Sequence, residues 1–443
     1  MTSFPNYKNK KVLILGLGLL GRGIRDTIFF AQQGAKVTVT DLKTKDQLAP
    51  ALKLLKKYSN IKYVLGRHRF EDLDKADLII RNADVPIYSE YLQYALKKKL
   101  NVDMDESLFA QYCPCPIIGI TGTRGKTTTT TLIAEVLKLT DRRVFLAGNI
   151  MDTATLPLIT KVKKTDLVVL ELSSWQLQGF GWKKISPEIA VFTNLYPDHQ
   201  NRYKGMDDYL ADKKLIFQNQ TPEDFLILNQ DNSYTRTCIK EAPSNVFLYS
   251  GYQLPRSWKL KLLGDHNREN ASAALAVGKL FGLKIPAMKK VIENFGGVPH
   301  RLEVVRHFKG VTYINDTTST TPISTQKALQ SIKGPIRIIV GGADKKLDLT
   351  DMAKALVKDK NVKSIILING TATPRLQELL LSAGGQKKIT TVCASMVEAL
   401  AMARSLAQKG DTVLLSPGCA SFGIFVNEFD RGNQFKSLVN KLK

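Results

Sequence analysis

Residues 119–128, Gly-Ile-Thr-Gly-Thr-Arg-Gly-Lys-Thr-Thr, carry the densest chemistry in the chain. An apolar strand over 117–121 runs into a glycine-bearing turn, and Gly125, Lys126 and Thr127 open a helix. Amide groups in such a turn, with the helix N-terminus behind them, bind phosphate oxygens. Lys126 is then placed to reach β- and γ-phosphates, and the Thr127 hydroxyl to ligate Mg²⁺. The strict phosphate-loop spacing wants glycine where Ile120 stands; Gly119 is one position early and Gly122 lies inside the loop, so this is a variant loop.

Glu171 ends a second apolar strand, 167–171, and is followed by Leu-Ser-Ser-Trp-Gln. A carboxylate at the C-terminal end of a parallel strand, in the sheet of a phosphate loop, suits Mg²⁺. Taken alone it is a strand-end acid. His199, in Asn194-Leu-Tyr-Pro-Asp-His199, follows another apolar strand and is one of five histidines; a lone histidine is more often structural than a ligand. Near the start, Gly16-Leu-Gly18-Leu19-Leu20-Gly21 joins a strand to a helix, and Asp41 ends the next strand. That pattern reads as a nucleotide pyrophosphate site, or as a tight turn chosen for helix–strand packing.

Strand and helix patterns alternate around these residues. Strands are predicted at 11–15, 35–40, 117–121, 167–171, 188–193, 225–229, 311–315, 336–341, 363–368, 389–393 and 411–415. Helices are predicted to about Gln33 and at 126–138, 207–219, 269–281 and 286–295. The Cys-Pro-Cys-Pro stretch at 113–116 is a credible linker, because each proline biases its predecessor away from helix. Gly296-Gly-Val-Pro299 marks a second boundary. Three α/β units with mostly parallel sheets are expected, over 1–116, 117–298 and 299–443.

The 443 residues include 64 Lys plus Arg against 40 Asp plus Glu, a net charge of +24. The surplus is +7, +7 and +10 over the three units, spread along the chain rather than gathered on one arm. A nucleic-acid binder concentrates its charge, so that reading is disfavoured. With 44% hydrophobic residues the chain is globular rather than disordered. The five cysteines (113, 115, 238, 393 and 419) cannot all pair and lack zinc-site spacing, which suits a reduced, cytoplasmic protein. No apolar run reaches the ~18–20 residues of a membrane span.

Taken in order, the clusters resemble the Mur ligase family over nearly the whole chain. The family pattern is carried by TGTRGKTT (121–128), ELSSWQL (171–177), LYPDHQNRY (195–203), HNREN (266–270) and PHRLEVV (299–305). It continues in NDTTSTTP (315–322), GGADK (341–345) and SPGCASFGIFVNEFDRG (416–432). The glycines at 16–21 favour its D-glutamate-adding branch. The resemblance implies a three-domain architecture: a Rossmann-like domain for the UDP substrate, a central phosphate-loop ATPase domain and a Rossmann-like C-terminal domain for the amino acid. It further implies a monomeric ligase of peptidoglycan synthesis. ATP phosphorylates the carboxylate of UDP-MurNAc-L-alanine, and the amine of glutamate attacks the acyl phosphate. L-glutamate or another amino acid is the alternative within the family, and a Rossmann oxidoreductase the alternative outside it.

The resemblance also assigns roles. Gly122, Thr123, Arg124, Gly125, Lys126, Thr127 and Thr128 would hold ATP, with Asn270 at the adenine and Arg301 and Asp316 contributing from the third domain. Two Mg²⁺ ions would be held by Thr127, Glu171, His199 and Lys213. Lys213 would carry a carbamate, because Tyr209 precedes it by four residues as in the family. Gly18, Leu19, Leu20, Asp41, Leu42 and Lys43 would line the uridine end, and Asn149 and Ser173 the muramoyl-alanine end. Lys345, Thr320 and Ser421 would meet the glutamate. The chain departs from the pattern at Arg124 (asparagine expected), Thr318 (lysine expected), Arg81–Pro86, Met151 and Glu428-Phe429.

Overall fold

The computed structural model describes residues 4–18, 21–150, 154–198, 202–262, 264, 266–344, 347–421 and 423–443. They form two compact units, Met1–Trp258 with His266–Ile292, and Lys259–Asp265 with Glu293–Lys443.

The first unit holds two wholly parallel sheets. One consists of β1 (Lys11–Leu15), β2 (Lys36–Asp41), β3 (Ile61–Leu65), β4 (Leu78–Arg81) and β5 (Val102–Asp103), in the order β3-β2-β1-β4-β5. The other consists of β6 (Ile117–Thr121), β7 (Val144–Gly148), β8 (Leu167–Glu171), β9 (Ile189–Phe192), β10 (Phe225–Asn229) and β11 (Asn245–Tyr249), ordered β11-β10-β9-β6-β8-β7. Every residue of β6 and β8 is buried. That is why both read as unbroken apolar runs, as strands covered on both faces do. The order seats β6 between β8 and β9, with Ile120 opposite Glu171 and Thr121 opposite Phe192. The C-terminal ends of three neighbouring strands therefore share one edge, the usual place for a ligand in such a sheet.

One apolar cluster runs from Val12, Ile14 and Phe30 through Phe109 to Ile117, Val168 and Phe192, so the two sheets of this unit share a core. Cys113 and Cys115, predicted as linker, are buried in that cluster, and all five cysteines are free thiols. The helix predicted over 207–219 spans Met206–Lys214. Leu215, Ile216 and Phe217 continue its apolar pattern, but the amides of Ile216 and Phe217 reach back only three residues, to Lys213 and Lys214, which ends the helix.

The second unit holds β12 (Glu303–Phe308), β13 (Val311–Asn315), β14 (Ile336–Gly341), β15 (Val362–Ile368), β16 (Ile389–Cys393) and β17 (Thr412–Leu415), ordered β12-β13-β17-β14-β15-β16. Only β12 runs antiparallel. It enters through a two-residue turn whose Lys309 and Gly310 both have positive φ, 48° and 78°, the pairing a tight hairpin demands. Apolar clusters cover both faces of this sheet. Among the described residues no helix is long and apolar enough to cross a membrane.

Candidate active site

The loop after β6 is built by its own backbone and by the end of β9. Gly122 has φ 148°, and a Cβ there would lie 1.9 Å from Thr193 Oγ1. The Thr193 hydroxyl instead donates to Arg124 O (2.9 Å) and Thr121 O (3.2 Å). Asn194 fixes the next residues: its carbonyl accepts from Thr123 N and its Oδ1 from Arg124 N, both at 2.9 Å. Gly125, left-handed at φ 76°, is the N-cap of the helix Lys126–Leu137 and, among the described residues, no side chain caps its first turn. Such an uncapped N-terminus is an anion site. Lys126 Nζ folds back onto Thr123 O at 3.2 Å. Thr127 and Thr128 are half-buried on the first turn, and exposed Arg124 lies 5.6 Å from the Tyr196 ring centroid. Asn270 stands beside Gly125, 2.4 Å from where a Cβ would sit, and accepts from Thr129 Oγ1 at 3.0 Å.

Two buried ionisable groups flank this loop. Glu171, 1% exposed at the end of β8, accepts from Asn149 Nδ2 through Oε1 (3.1 Å), while its Oε2 has no hydrogen-bond partner among the described residues. Lys213, also 1% exposed, donates from Nζ to Gly122 O at 2.8 Å and lies 4.7 Å from the Tyr209 ring centroid. Burial, then the nearby Lys126 cation, pulls its pKa well below the usual lysine value. A buried carboxylate oxygen at the end of β8, in register with the strand that leads into the loop carrying Thr127, offers oxygen donors only. That chemistry suits Mg²⁺, which takes one or two carboxylates and completes its shell with phosphate oxygens and water. Among the described residues no three His, Cys, Asp or Glu side chains gather into a metal cage. Ser173 caps the helix Ser174–Lys183 through a capping box with Gln176.

At the N-terminal sheet, the Asp41 carboxylate turns inward. Its Oδ2 accepts from Leu17 N and Gly18 N, both at 2.9 Å, and its Oδ1 from Lys43 N at 2.8 Å. Asp41 thus shapes the glycine turn, which is the packing half of the sequence reading, while Leu42 stays 64% exposed. Arg81 is buried, donating to Val85 O twice and to Gln178 Oε1. A cavity of about 750 Å³ in this unit is lined by Arg81, Trp175, Gln178, Trp182, Arg202 and Asp212 among others; Lys126, Glu171 and Lys213 do not line it.

In the second unit, Asp316 is buried, accepting from Ser416 Oγ (2.7 Å) and Leu302 N (3.1 Å); burial raises its pKa. Arg301 is exposed. Thr318, where the family has lysine, donates both its amide and its hydroxyl to His300 O, and the Thr320 amide donates to Thr318 O at 2.9 Å. Ser421 Oγ is buried with no hydrogen-bond partner among the described residues. Leu19, Leu20, His199 and Lys345 lie outside the described residues.

The structure adds four residues that the sequence reading did not single out. Thr193 and Asn194 clamp the phosphate loop, and Arg22 donates to Asn149 Oδ1. Arg431 is fully buried and donates to Thr317 Oγ1, Thr317 O, Cys419 O and Ala420 O, tying together the two loops that carry Thr318 and Ser421. Its signals in the sequence were its place in the stretch 416–432 and a charge on a helix face shared with Phe435 and Val439.

Residues 10–103 match the Mur ligase MurD-like, N-terminal domain, residues 120–253 the Mur ligase middle domain, and residues 300–419 the Mur ligase, glutamate ligase domain. A protein of Roseiflexus sp. named UDP-N-acetylmuramoylalanine–D-glutamate ligase is 38% identical, over 97% of this chain and 98% of its own. One of the same name from Borreliella afzelii is 36% identical over 98% of each. Among solved structures, the UDP-N-acetylmuramate–alanine ligase of Thermotoga maritima superposes with a TM-score of 0.57 at 18% identity, covering 98% of this chain and all of that one, a likeness of fold. With full-length identity to such relatives, the chain belongs to the Mur ligase family.

Proposed function

We propose that this protein joins D-glutamate to UDP-N-acetylmuramoyl-L-alanine at the expense of ATP, releasing ADP and phosphate, in peptidoglycan precursor synthesis. The observation that carries the reading is the shared edge of β6 and β8, where an uncapped phosphate loop meets a buried carboxylate with one free oxygen. The choice of amino acid rests on the full-length relatives named for D-glutamate.

In this reading the substrate carboxylate attacks the γ-phosphorus, ADP leaves, and an acyl phosphate forms. The glutamate amine then adds to the acyl carbon and loses a proton, and phosphate departs. Such transfer needs positioning and cationic stabilisation more than a covalent nucleophile. Lys126 and the first-turn amides hold the phosphates, Thr127 and Glu171 offer oxygens to a cation, and Asn270 supports the loop from behind. Magnesium, when bound, supplies charge neutralisation at the β- and γ-oxygens. Residues 1–116 would take the UDP substrate, 117–298 ATP, and 299–443 the amino acid, with Thr320 and Ser421 contributing there.

Lys213 fits a carbamate in this scheme. Burial favours its neutral amine, whose lone pair adds to carbon dioxide with release of one proton and gives an anionic oxygen donor beside the loop. Charge inversion of a buried lysine is favourable only next to a cation.

The test is an amino-acid panel: purified protein, ATP, Mg²⁺ and UDP-MurNAc-L-alanine, with phosphate release as readout. D-glutamate should turn over while L-glutamate and L-alanine do not, and Lys126→Ala should abolish the signal. Phosphate release with another amino acid alone would reject the assignment, and full activity in Lys126→Ala would reject the phosphate loop.

A further inference from the structure

We propose that Arg22 is a positioning residue: by holding Asn149 in one amide orientation it leaves Glu171 Oε2 free for a divalent cation, linking the glycine turn of the N-terminal sheet to the phosphate-loop site. The inference rests on reading Glu171 as a cation ligand.

Arg22 is the first residue of the helix Arg22–Gln32, directly after Gly21, whose left-handed φ of 94° closes the glycine turn. Its Nη2 donates to Asn149 Oδ1. Asn149 follows β7, its amide donating to Glu171 O at 2.7 Å and its Nδ2 to Glu171 Oε1 at 3.1 Å. A carboxamide has one acceptor end and one donor end. With a guanidinium fixed on the acceptor, only the donor can face Glu171. It takes Oε1 and leaves Oε2, which has no hydrogen-bond partner among the described residues. Without Arg22 the amide is free to turn over, and its carbonyl oxygen would then meet the carboxylate repulsively.

The guanidinium is itself held. Its Nη1 lies 3.9 Å from Oε1 of fully buried Glu106. Gly148 brings β7 against β8 so closely that a Cβ there would lie 2.1 Å from Glu171 O, so Asn149 has little freedom except about its own side chain. A shift of the glycine turn, to which Arg22 is bonded, therefore reaches Glu171 through two hydrogen bonds.

The experiment is a titration of the full-length protein with Mn²⁺, following free Mn²⁺ by electron paramagnetic resonance. Changing a residue that orients a metal ligand commonly costs about 10- to 100-fold in metal affinity. Asn149→Ala should weaken Mn²⁺ binding about tenfold, and Arg22→Met about three- to tenfold. The two should not add: Arg22→Met made in the Asn149→Ala background should cost nothing further. A merely structural role for Arg22 would lower affinity equally in both backgrounds, and that result overturns the proposal. Arg22→Lys keeps a cation facing Glu106 but loses the planar fork. It should melt like the parent and still bind Mn²⁺ more weakly; parental affinity in this variant also overturns the proposal. Glu171→Gln separates the two readings. If it leaves Mn²⁺ affinity unchanged, Glu171 is not the ligand; if it weakens binding while Arg22→Met does not, the relay alone fails.

Discussion

Gly122→Ala tests whether the phosphate loop is held by the end of β9. The new methyl carbon would sit 1.9 Å from Thr193 Oγ1, 3.1 Å from Asn194 O and 3.2 Å from Asn194 N. Ordinary contact begins at 3.4 Å, so the hydroxyl must move by about 1.5 Å. It has nowhere easy to go, being 1% exposed and bonded to Thr121 O and Arg124 O. A φ of 148° is also a glycine conformation, and an alanine held there costs about 1–3 kcal/mol. Displacing the hydroxyl forfeits a further ~0.5–1.5 kcal/mol of net hydrogen bonding. The sum, about 2–4 kcal/mol, lowers Tm by roughly 5–15 °C for a domain of this size.

If the loop escapes by rearranging instead, the same free energy appears as a weaker grip on ATP, a rise in KM for ATP of about 30-fold or more. Differential scanning fluorimetry and phosphate-release kinetics read the two routes. The Thr193→Ala background separates the terms: with the hydroxyl gone, Gly122→Ala should cost only its backbone part, about 1–3 kcal/mol. A Gly122→Ala protein that melts within a degree of the parent and keeps its KM for ATP would refute the reasoning. Fully additive effects in the double variant would refute the clash.

Two more outcomes follow from buried charge. Lys213→Ala should be largely inactive and partly rescued by acetate or formate, which can replace a carbamate oxygen; phosphate release by an indifferent variant rules the carbamate out. Glu106→Gln should raise Tm at pH 8 and leave it unchanged near pH 4. Burial, then Asp105, holds the Glu106 carboxyl well above the usual carboxylate range, so the folded state keeps a proton that the unfolded chain has lost. The stabilisation is complete below the unfolded pKa and is lost as pH rises through the folded one. Melting curves of equal displacement at both pH values would contradict this.

What the sequence disclosed depended on whether the chemistry was contiguous. Gly122 to Thr128 place amides, an ammonium and a hydroxyl within one turn of chain, and both the loop and the helix Lys126–Leu137 stand where that spacing put them. Thr193, which holds the loop together with Asn194, lies about seventy positions away and is a generic polar residue, so no local pattern marks it; Asn194 was seen only as the start of the stretch ending at His199. Asp41 was visible as an acid ending a strand, but the same carboxylate serves a ribose or its own turn equally well in sequence; its bonds to Leu17 N and Gly18 N, which shape the turn, are visible only in the fold. Strand β7 escaped because three of its five residues are half-buried and it lies at the sheet edge, where apolar pressure is weakest. With it went the neighbour of Asn149 and hence the role of Arg22.

Arg81 and Arg431 carry the same lesson into other loops. Each is buried without an ion-pair partner within reach of a salt bridge among the described residues, and burial lowers each pKa to about 10. At neutral pH both therefore remain charged, and what holds the charge is oxygen dipoles: Val85 O and Gln178 Oε1 for Arg81, the carbonyls of Thr317, Cys419 and Ala420 for Arg431. Loop carbonyls have no ladder partners of their own and must be satisfied somehow when buried. A guanidinium, with five donors in a fixed plane, satisfies several at once and fixes their relative positions, which a lysine's compact ammonium cannot. The loop Arg81–Pro86 is thus pinned by its own buried cation, and Arg431 does the same for the loops bearing Thr318 and Ser421. Part of the +24 excess thus works inside the protein rather than on its surface.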